Sequence, residues 1–391
     1  MGIEPLPSDF YGFEQELTEQ EQGLLNKLRA VLDDTHGIVQ EHWHKDEFPH
    51  GIIEPLAKTG ALGFNWEETW DFQGSAAFRG WIALEMGRAD ASIGTFAGVQ
   101  NGLASGSIGV CGSPEQRAEW LPKLASGEII GAFGLTEPES GSDASLGLKT
   151  GCRREGDEWV INGAKRWIGN ATFADIVIIW ARDEEDGQVK GFIVPTETEG
   201  FTATKIENKI ALRMVENADI TLESVRVPES LRLQKANSFR DTAKVLKLTR
   251  AEVAWLAVGV MAGAYEAAVR YAKERVQFGK PIGQHQLVQE LLAKSLANIT
   301  ASIALCTQVS KMQDEDRQED AHSAMAKMFV TARMREVVAW AREVCGGNGI
   351  VTDYDAARYF ADAEALYSYE GTYQMNALIV GRSIIGKSAF A

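Results

Sequence analysis

Trp159-Val160-Ile161, the pair Asn162-Gly163, and then Lys165-Arg166-Trp167-Ile168-Gly169-Asn170 mark where this chain changes character. Short runs of β-branched and aromatic residues predict strands, and Asn-Gly pairs predict turns. Similar runs occupy residues 175–182, 191–195, 201–206 and 218–227. Turn signals such as Asp183-Glu184-Glu185-Asp186-Gly187 separate them. A small antiparallel sheet or barrel is therefore expected over residues 131–237. On both sides the pattern is helical. Residues 19–42, 52–60, 76–88 and 115–125 carry helix-spaced apolar positions. Ser113 reads as an N-cap, Pro114 as the first helical residue and Gln116 as the closing member of a capping box. Beyond residue 238, residues 241–278, 284–311 and 319–344 are long and periodic, and Gly346-Gly347-Asn348-Gly349 stops the third. The expected fold is an α+β composite: an N-terminal helical domain (1–130), a middle antiparallel β-domain (131–237) and a C-terminal helical bundle (238–391).

The 391 residues are 45% apolar and 24% charged, with a formal charge of -16. Nothing supplies the basic footprint that a nucleic-acid binder needs. Local basic residues and helix N-termini can still hold an anionic ligand. Cys111, Cys152, Cys306 and Cys345 show no CxxC spacing and read as free thiols in a reducing compartment. The N-terminal 16 residues lack a signal-peptide apolar core, and Leu6 stands where a myristoylation motif needs Ser or Thr. The tail Ser388-Ala389-Phe390-Ala391 is not a peroxisomal signal. The longest apolar stretch, residues 253–269, is short for a membrane span and contains Glu266. A cytoplasmic protein with no membrane span is expected. His42 and His44 point to different faces of a helix, so with His50 they are expected to be solvated rather than metal-binding.

Four segments carry candidate chemistry. Phe133-Gly134-Leu135-Thr136-Glu137-Pro138-Glu139-Ser140-Gly141-Ser142-Asp143 offers close backbone approach, with Thr136 and Ser142 as hydrogen-bonding arms; its bland reading is a polar turn. Trp167 among small residues could wall a flat ligand or pack in a core. Arg275-Val276-Gln277-Phe278-Gly279-Lys280-Pro281 closes a long helix, where Arg suits either a phosphate or the helix dipole. In Tyr367-Ser368-Tyr369-Glu370-Gly371-Thr372-Tyr373-Gln374, burial of Glu370 would raise its pKa toward that of a general base; otherwise it is a surface Glu at a helix start.

In this order and spacing, the four segments resemble the acyl-CoA dehydrogenase and oxidase superfamily over nearly the whole chain. Residues 162–175, 209–217 and 362–376 resemble the glutaryl-CoA dehydrogenase branch, and within it the short-chain acyl-CoA oxidases. The resemblance implies a C-terminal four-helix bundle, a homotetramer built as a dimer of dimers, and FAD between the β-domain and the bundle. It implies flavin or FAD contacts at Phe133, Leu135, Thr136, Ser142, Trp167, Ile168 and Gly169. Arg275, Gln277 and Phe278 would reach the neighbouring subunit's FAD. Gly346, Gly347, Thr372 and Gln374 would complete the adenosine and phosphate region. Ser142, Gly94, Thr249, Tyr369 and Gly371 would face the substrate.

Glu370 would take the α-proton of an acyl-CoA thioester, with hydride leaving the β-carbon for flavin N5. Some relatives carry the base just before the Arg of the first long C-terminal helix. Thr249 stands there and cannot serve, and Arg250 would tune the pocket.

The chain departs from the branch at Gly94, where glutaryl-CoA dehydrogenases carry an Arg for the substrate's distal carboxylate, and at Gly87, where they carry a Glu. A buried carboxylate without a cation is costly. A short, neutral acyl group is therefore expected. Gly169 replaces the Thr or Ser whose hydroxyl meets flavin N5 in most dehydrogenases, and Glu343 replaces a Gln. Electrons would pass to an electron-transferring flavoprotein or, in an oxidase, to oxygen. A glutaryl-CoA dehydrogenase and a non-catalytic flavin-binding homologue are the other readings.

Overall fold

The computed structural model describes residues 6–389. The readings that fall on residues 1–5 and on Phe390-Ala391 lie outside that range. The N-terminal part is α1 (Glu19–Asp33), α2 (His36–Lys45), α3 (Ile53–Lys58), α4 (Ala76–Ala89), α5 (Ala91–Ala97), a π-helical stretch (Gly98–Ser105), α6 (Gly106–Cys111) and α7 (Pro114–Ser126). The expected single helix over 19–42 is split at Asp34-Thr35, where the Thr35 N–H and Oγ1 both donate to Leu32 O in place of the regular helical bond. The capping box at Ser113 and Gln116 is present, with Pro114 in the first turn. Residues 91–111 were missed because they are apolar or small on every face, which erases helical periodicity.

The sheet contains β1 (Gly131–Gly134), then after the short α8 (Ala144–Gly147), β2 (Gly151–Glu155), β3 (Glu158–Ile168), β4 (Ile176–Asp183), β5 (Val189–Pro195), β6 (Phe201–Lys205) and β7 (Ala218–Pro228). The strand order is β1-β4-β2-β3-β7-β6, with β5 also on β4. β1 and β2 each pair with β4 in parallel, and the other pairings are antiparallel. Asn162-Gly163 is not a turn. It is a bulge within β3, where the register against β7 shifts. A Cβ on Gly163 would lie 2.6 Å from Thr150 Oγ1, so only glycine fits. The turn itself is at Gly156, with φ 67°.

The C-terminal part is α9 (Phe239–Glu274), a two-stranded hairpin of β8 (Val276–Gln277) and β9 (Lys280–Pro281), α10 (Gln286–Asp314), α11 (Asp320–Val344), α12 (Ala356–Ser368) and α13 (Tyr373–Ile385). Arg275 caps the end of α9, its N–H donating to Tyr271 O, whereas Gln277 and Phe278 lie beyond the helix in the hairpin. Phe278 (φ 52°) and Gly279 (φ 76°) form the hairpin's tip, the left-handed pair that matches strand twist. α4 and α9 pack backbone to backbone. A Cβ on Gly259 would come within 2.0 Å of Leu84 O, and one on Gly87 within 2.5 Å of Leu256 O. That contact fixes where α9 presents Thr249 and Arg250.

All four cysteines are buried free thiols. Among the described residues, no helix is long and apolar enough to cross a membrane, and no group of three or more His, Cys, Asp or Glu is placed to hold a metal.

Candidate active site

α12 ends at Ser368, and the chain reverses through two successive left-handed residues, Glu370 (φ 54°) and Gly371 (φ 81°). Thr372 then caps α13 by accepting from Met375 N at 3.2 Å. A left-handed Glu costs about 1–3 kcal/mol and persists only where its surroundings over-determine it. Asn376 Nδ2 donates to Gly371 O at 2.8 Å and to Thr372 O at 3.0 Å. The neighbouring Tyr369 hydroxyl lies 3.3 Å from Thr95 Oγ1 on α5. The turn is thus held by its backbone, which leaves the Glu370 carboxyl free to act.

That carboxyl reaches α9, where Thr249 Oγ1 donates to Glu370 Oε2 at 3.1 Å. Burial pushes the Glu370 pKa up, opposed by the Arg250 charge, the Thr249 hydrogen bond and the Lys327 ammonium. A carboxyl raised by burial yet kept ionisable by cations suits a general base. Arg250 acts at a distance: its guanidinium is ion-paired with Asp320, not with Glu370.

The segments around Thr136 and Trp167 also converge. Arg166 N donates to Thr136 O at 2.9 Å, tying the end of β3 to the loop after β1. Lys165 is fully buried beneath them, donating to Leu135 O (3.2 Å), Glu137 Oε1 (2.9 Å) and Trp180 O (2.7 Å). Phe133, Leu135, Ile168 and Gly169 are buried. Trp167 is held at φ 65° with 52% of its surface exposed and the Arg166 guanidinium 5.1 Å from its ring. An exposed, conformationally fixed Trp at a strand end suits one face of a flat ring. Ser142, Arg275, Gln277, Phe278, Gly346, Gly347 and Gln374 are exposed. Nothing lies within 4 Å of a Cβ built on Gly346 or Gly347, so the backbone there is open to a ligand. The α13 N-terminus after Thr372 adds an electropositive end suited to phosphate. The hairpin bearing Arg275, Gln277 and Phe278 is not brought to Glu370, and Phe278 is 95% exposed at its tip.

Three family descriptions match in succession: acyl-CoA dehydrogenase, N-terminal domain, over residues 18–128; the middle domain over 132–225; and the C-terminal domain over 239–385. The chain belongs to the acyl-CoA dehydrogenase family. The Mus musculus mitochondrial short-chain specific acyl-CoA dehydrogenase is 32% identical over 343 residues, 86% of this chain and 83% of that protein. A Mycobacterium smegmatis glutaryl-CoA dehydrogenase solved in complex with FADH2 superposes with a TM-score of 0.93 at 30% identity, covering 99% and 100% of the two chains. The butyryl-CoA dehydrogenase of Megasphaera elsdenii gives a TM-score of 0.90 at 28% identity over 94% and 99%. The protein is thus an FAD-dependent oxidoreductase of the acyl-CoA dehydrogenase type.

Within this acyl-CoA dehydrogenase, sequence reasoning missed three charges near the site: the buried Lys165 and Lys327 and the half-buried Glu252. Lys327 lies on the buried stripe of α11 with Ala324, Val330, Thr331 and Met334, so a lysine in an apolar register was the available signal. Glu252 lies one turn beyond Thr249. Its Oε1 is 3.5 Å from Asn65 Nδ2, and its Oε2 would be 2.6 Å from a Cβ on Gly102. Burial pushes its pKa up to about 7, opposed by Arg79 and Asn65 and reinforced by Glu370. A carboxyl raised in the folded state contributes stability below its unfolded pKa of about 4.3, and that contribution is lost as pH rises through about 7. Glu252→Gln should therefore melt higher than wild type at pH 8, by about 1–2 kcal/mol, and equally at pH 4. Equal melting at pH 8 would show that Glu252 is solvated.

Proposed function

We propose that this acyl-CoA dehydrogenase oxidises short, neutral acyl-CoA thioesters to trans-2-enoyl-CoA, with Glu370 removing the α-proton. Bound FAD supplies the acceptor for the β-hydride. The chain's part is to place the base and to restrict the acyl group. Thr249 orients the carboxylate, Arg250 favours its ionised form, and the backbone turn fixes where it points. Leu135, Thr136 and Trp167 would wall the flavin ring, and Tyr369 and Gly371 flank Glu370 in the chain.

The observation that supports a short, neutral acyl group is the filling of Gly94. Its Cβ would lie 2.1 Å from Leu256 Cδ1. The position at which the glutaryl branch carries its Arg is lined by the apolar side chain of Leu256 rather than by a cation. Gly94 packs against Leu256 of α9. Gly169 is similarly enclosed: a Cβ there would meet Val99 Cγ2 at 3.3 Å, so an added hydroxyl side chain would crowd it.

Dehydrogenase chemistry with an electron-transferring flavoprotein is the leading reading of electron exit, and oxidase chemistry the second, resting on Gly169. The domain boundaries proposed are 1–130, 131–237 and 238–391. A homotetramer is supported by the apolar residues left bare on the C-terminal part: Phe278 (95%), Leu287 (76%), Ile350 (76%) and Ile384 (74%). A cytoplasmic location fits the free cysteines.

Anaerobic titration with butyryl-, hexanoyl-, octanoyl-, isobutyryl- and glutaryl-CoA tests the substrate, read as bleaching of the flavin absorbance. Butyryl- or hexanoyl-CoA should bleach it and glutaryl-CoA should not. Bleaching by glutaryl-CoA alone would overturn the argument from Gly94 and Leu256. Admitting air then separates the two electron acceptors: slow recolouring marks a dehydrogenase, and fast recolouring with peroxide an oxidase.

A further inference from the structure

Lys327 is a charged side chain near the site to which the proposed chemistry assigns no role. Its exposure is 0%, among apolar and small residues of α11. Burying an ammonium costs several kcal/mol unless its protons and charge are met. Two of its protons go to backbone carbonyls, Gly371 O at 2.6 Å and Tyr367 O at 3.3 Å. These oxygens bracket Glu370, one after it and one three residues before. Tyr367 O is also one of the last-turn carbonyls of α12, which have no helical partner and favour a cation. Among the described residues Lys327 forms no ion pair within 4.0 Å, and Glu370 is the carboxylate that acts on it. Burial pushes its pKa down to about 7, Glu370 opposes this and Arg250 adds to it.

The groups facing Glu370 come from two helices. α9 offers the Thr249 hydroxyl, the Arg250 guanidinium and the Glu252 carboxyl. α11 offers Lys327, and Tyr369 adjoins within the turn. Arg250 is committed to Asp320, and Glu252 is of like charge to the base. Lys327 is the cation whose own contacts are all to the turn that carries Glu370.

We infer that Lys327 is a positioning residue for the base: it clamps both sides of the strained Glu370-Gly371 turn onto α11 and adds its positive charge to that of Arg250 in favouring the ionised carboxylate. This rests on Glu370 being the base. Without the ammonium, the ionised carboxylate loses a favourable partner and its pKa rises. The left-handed turn also loses two of the bonds that hold it.

The test uses the FAD-loaded enzyme and the variants Lys327→Met, Lys327→Gln and Lys327→Arg. Each is measured for FAD content, thermal melting and the pH dependence of kcat/KM with butyryl-CoA. The acid limb of that profile reports the base in the free enzyme. The Met and Gln variants should shift the limb upward by about one pH unit or more. At pH 7 they should lose about tenfold in kcat/KM, mostly through kcat, while the Arg variant keeps the wild-type limb. An unshifted limb in FAD-loaded Lys327→Gln overturns the inference. So does failure of all three variants to fold, which would make the lysine a folding residue. Glu370→Gln separates this from failure of the underlying reading: an active Glu370→Gln removes the base itself, whereas an inactive one with unshifted Lys327 profiles removes the clamp alone.

Discussion

Glu370→Gln should lower turnover by at least about 10³-fold, within the range that a positioned general base supplies, while binding FAD as wild type does. The amide matches the carboxylate in shape and can still accept from Thr249, but it cannot take a proton. The turn that carries it is held through Tyr367 O, Gly371 O and Thr372 O, none of which the substitution touches. The flavin segments are anchored elsewhere, by Lys165 and the Arg166 to Thr136 link. Replacing a buried carboxyl whose ionisation is opposed by burial should, if anything, raise the melting temperature. Flavin bleaching by butyryl-CoA in the absence of air measures the effect without any electron acceptor. A wild-type bleaching rate would remove Glu370 from the mechanism.

The sequence showed most clearly those features whose physics is local. The capping box at Ser113, the long periodic helices and the β-branched runs each declare themselves within a dozen residues, and the structure contains them. Non-local features were hidden. Asn162-Gly163 has the composition of a hairpin turn, yet the contact with Thr150 and the pairing with β7 turn it into a bulge. The stretch around Gly94 is apolar on all faces and hides its helix. Which neighbour fills Gly94 is decided by Leu256, 162 positions away in the chain. For the site, a familiar spacing pointed to Glu370 and Trp167. It could not point to Lys327 or Glu252, because a buried charge is defined by what surrounds it in space. Arg250 shows the same limit: its place beside the base was legible, but its commitment to Asp320 was not.

Arg358→Met should destabilise the protein by about 3–5 kcal/mol, the usual cost of removing one partner from a buried ion pair. Arg358 is 1% exposed on α12 and is ion-paired with Asp90, which is 0% exposed. Asp90 is the N-cap of α5, accepting from Ser92 N at 2.7 Å. The pair therefore joins the start of a helix in the N-terminal part to the helix whose far end turns into Glu370. A second arm reaches Asp355 Oδ1 at 3.1 Å. Asp355 keeps other partners when the arginine is lost, since Arg270 lies at 3.0 Å and His36 at 3.1 Å. Asp90 keeps no cation, and this asymmetry is where the cost arises. Asp362, one turn along α12, feels the same change. Burial and Asp90 push its pKa up to about 7, while the bond from Leu212 N at 2.6 Å and the Arg358 charge hold it down. Without Arg358, the Asp362 carboxyl is driven further toward protonation. The variant should then be least impaired at low pH and lose stability as pH rises through neutrality, opposite to ordinary acid denaturation. Thermal melting from pH 5 to pH 8 measures it. A loss below about 1 kcal/mol at every pH would mean that water reaches Asp90 and that α5 and α12 are held together by packing alone.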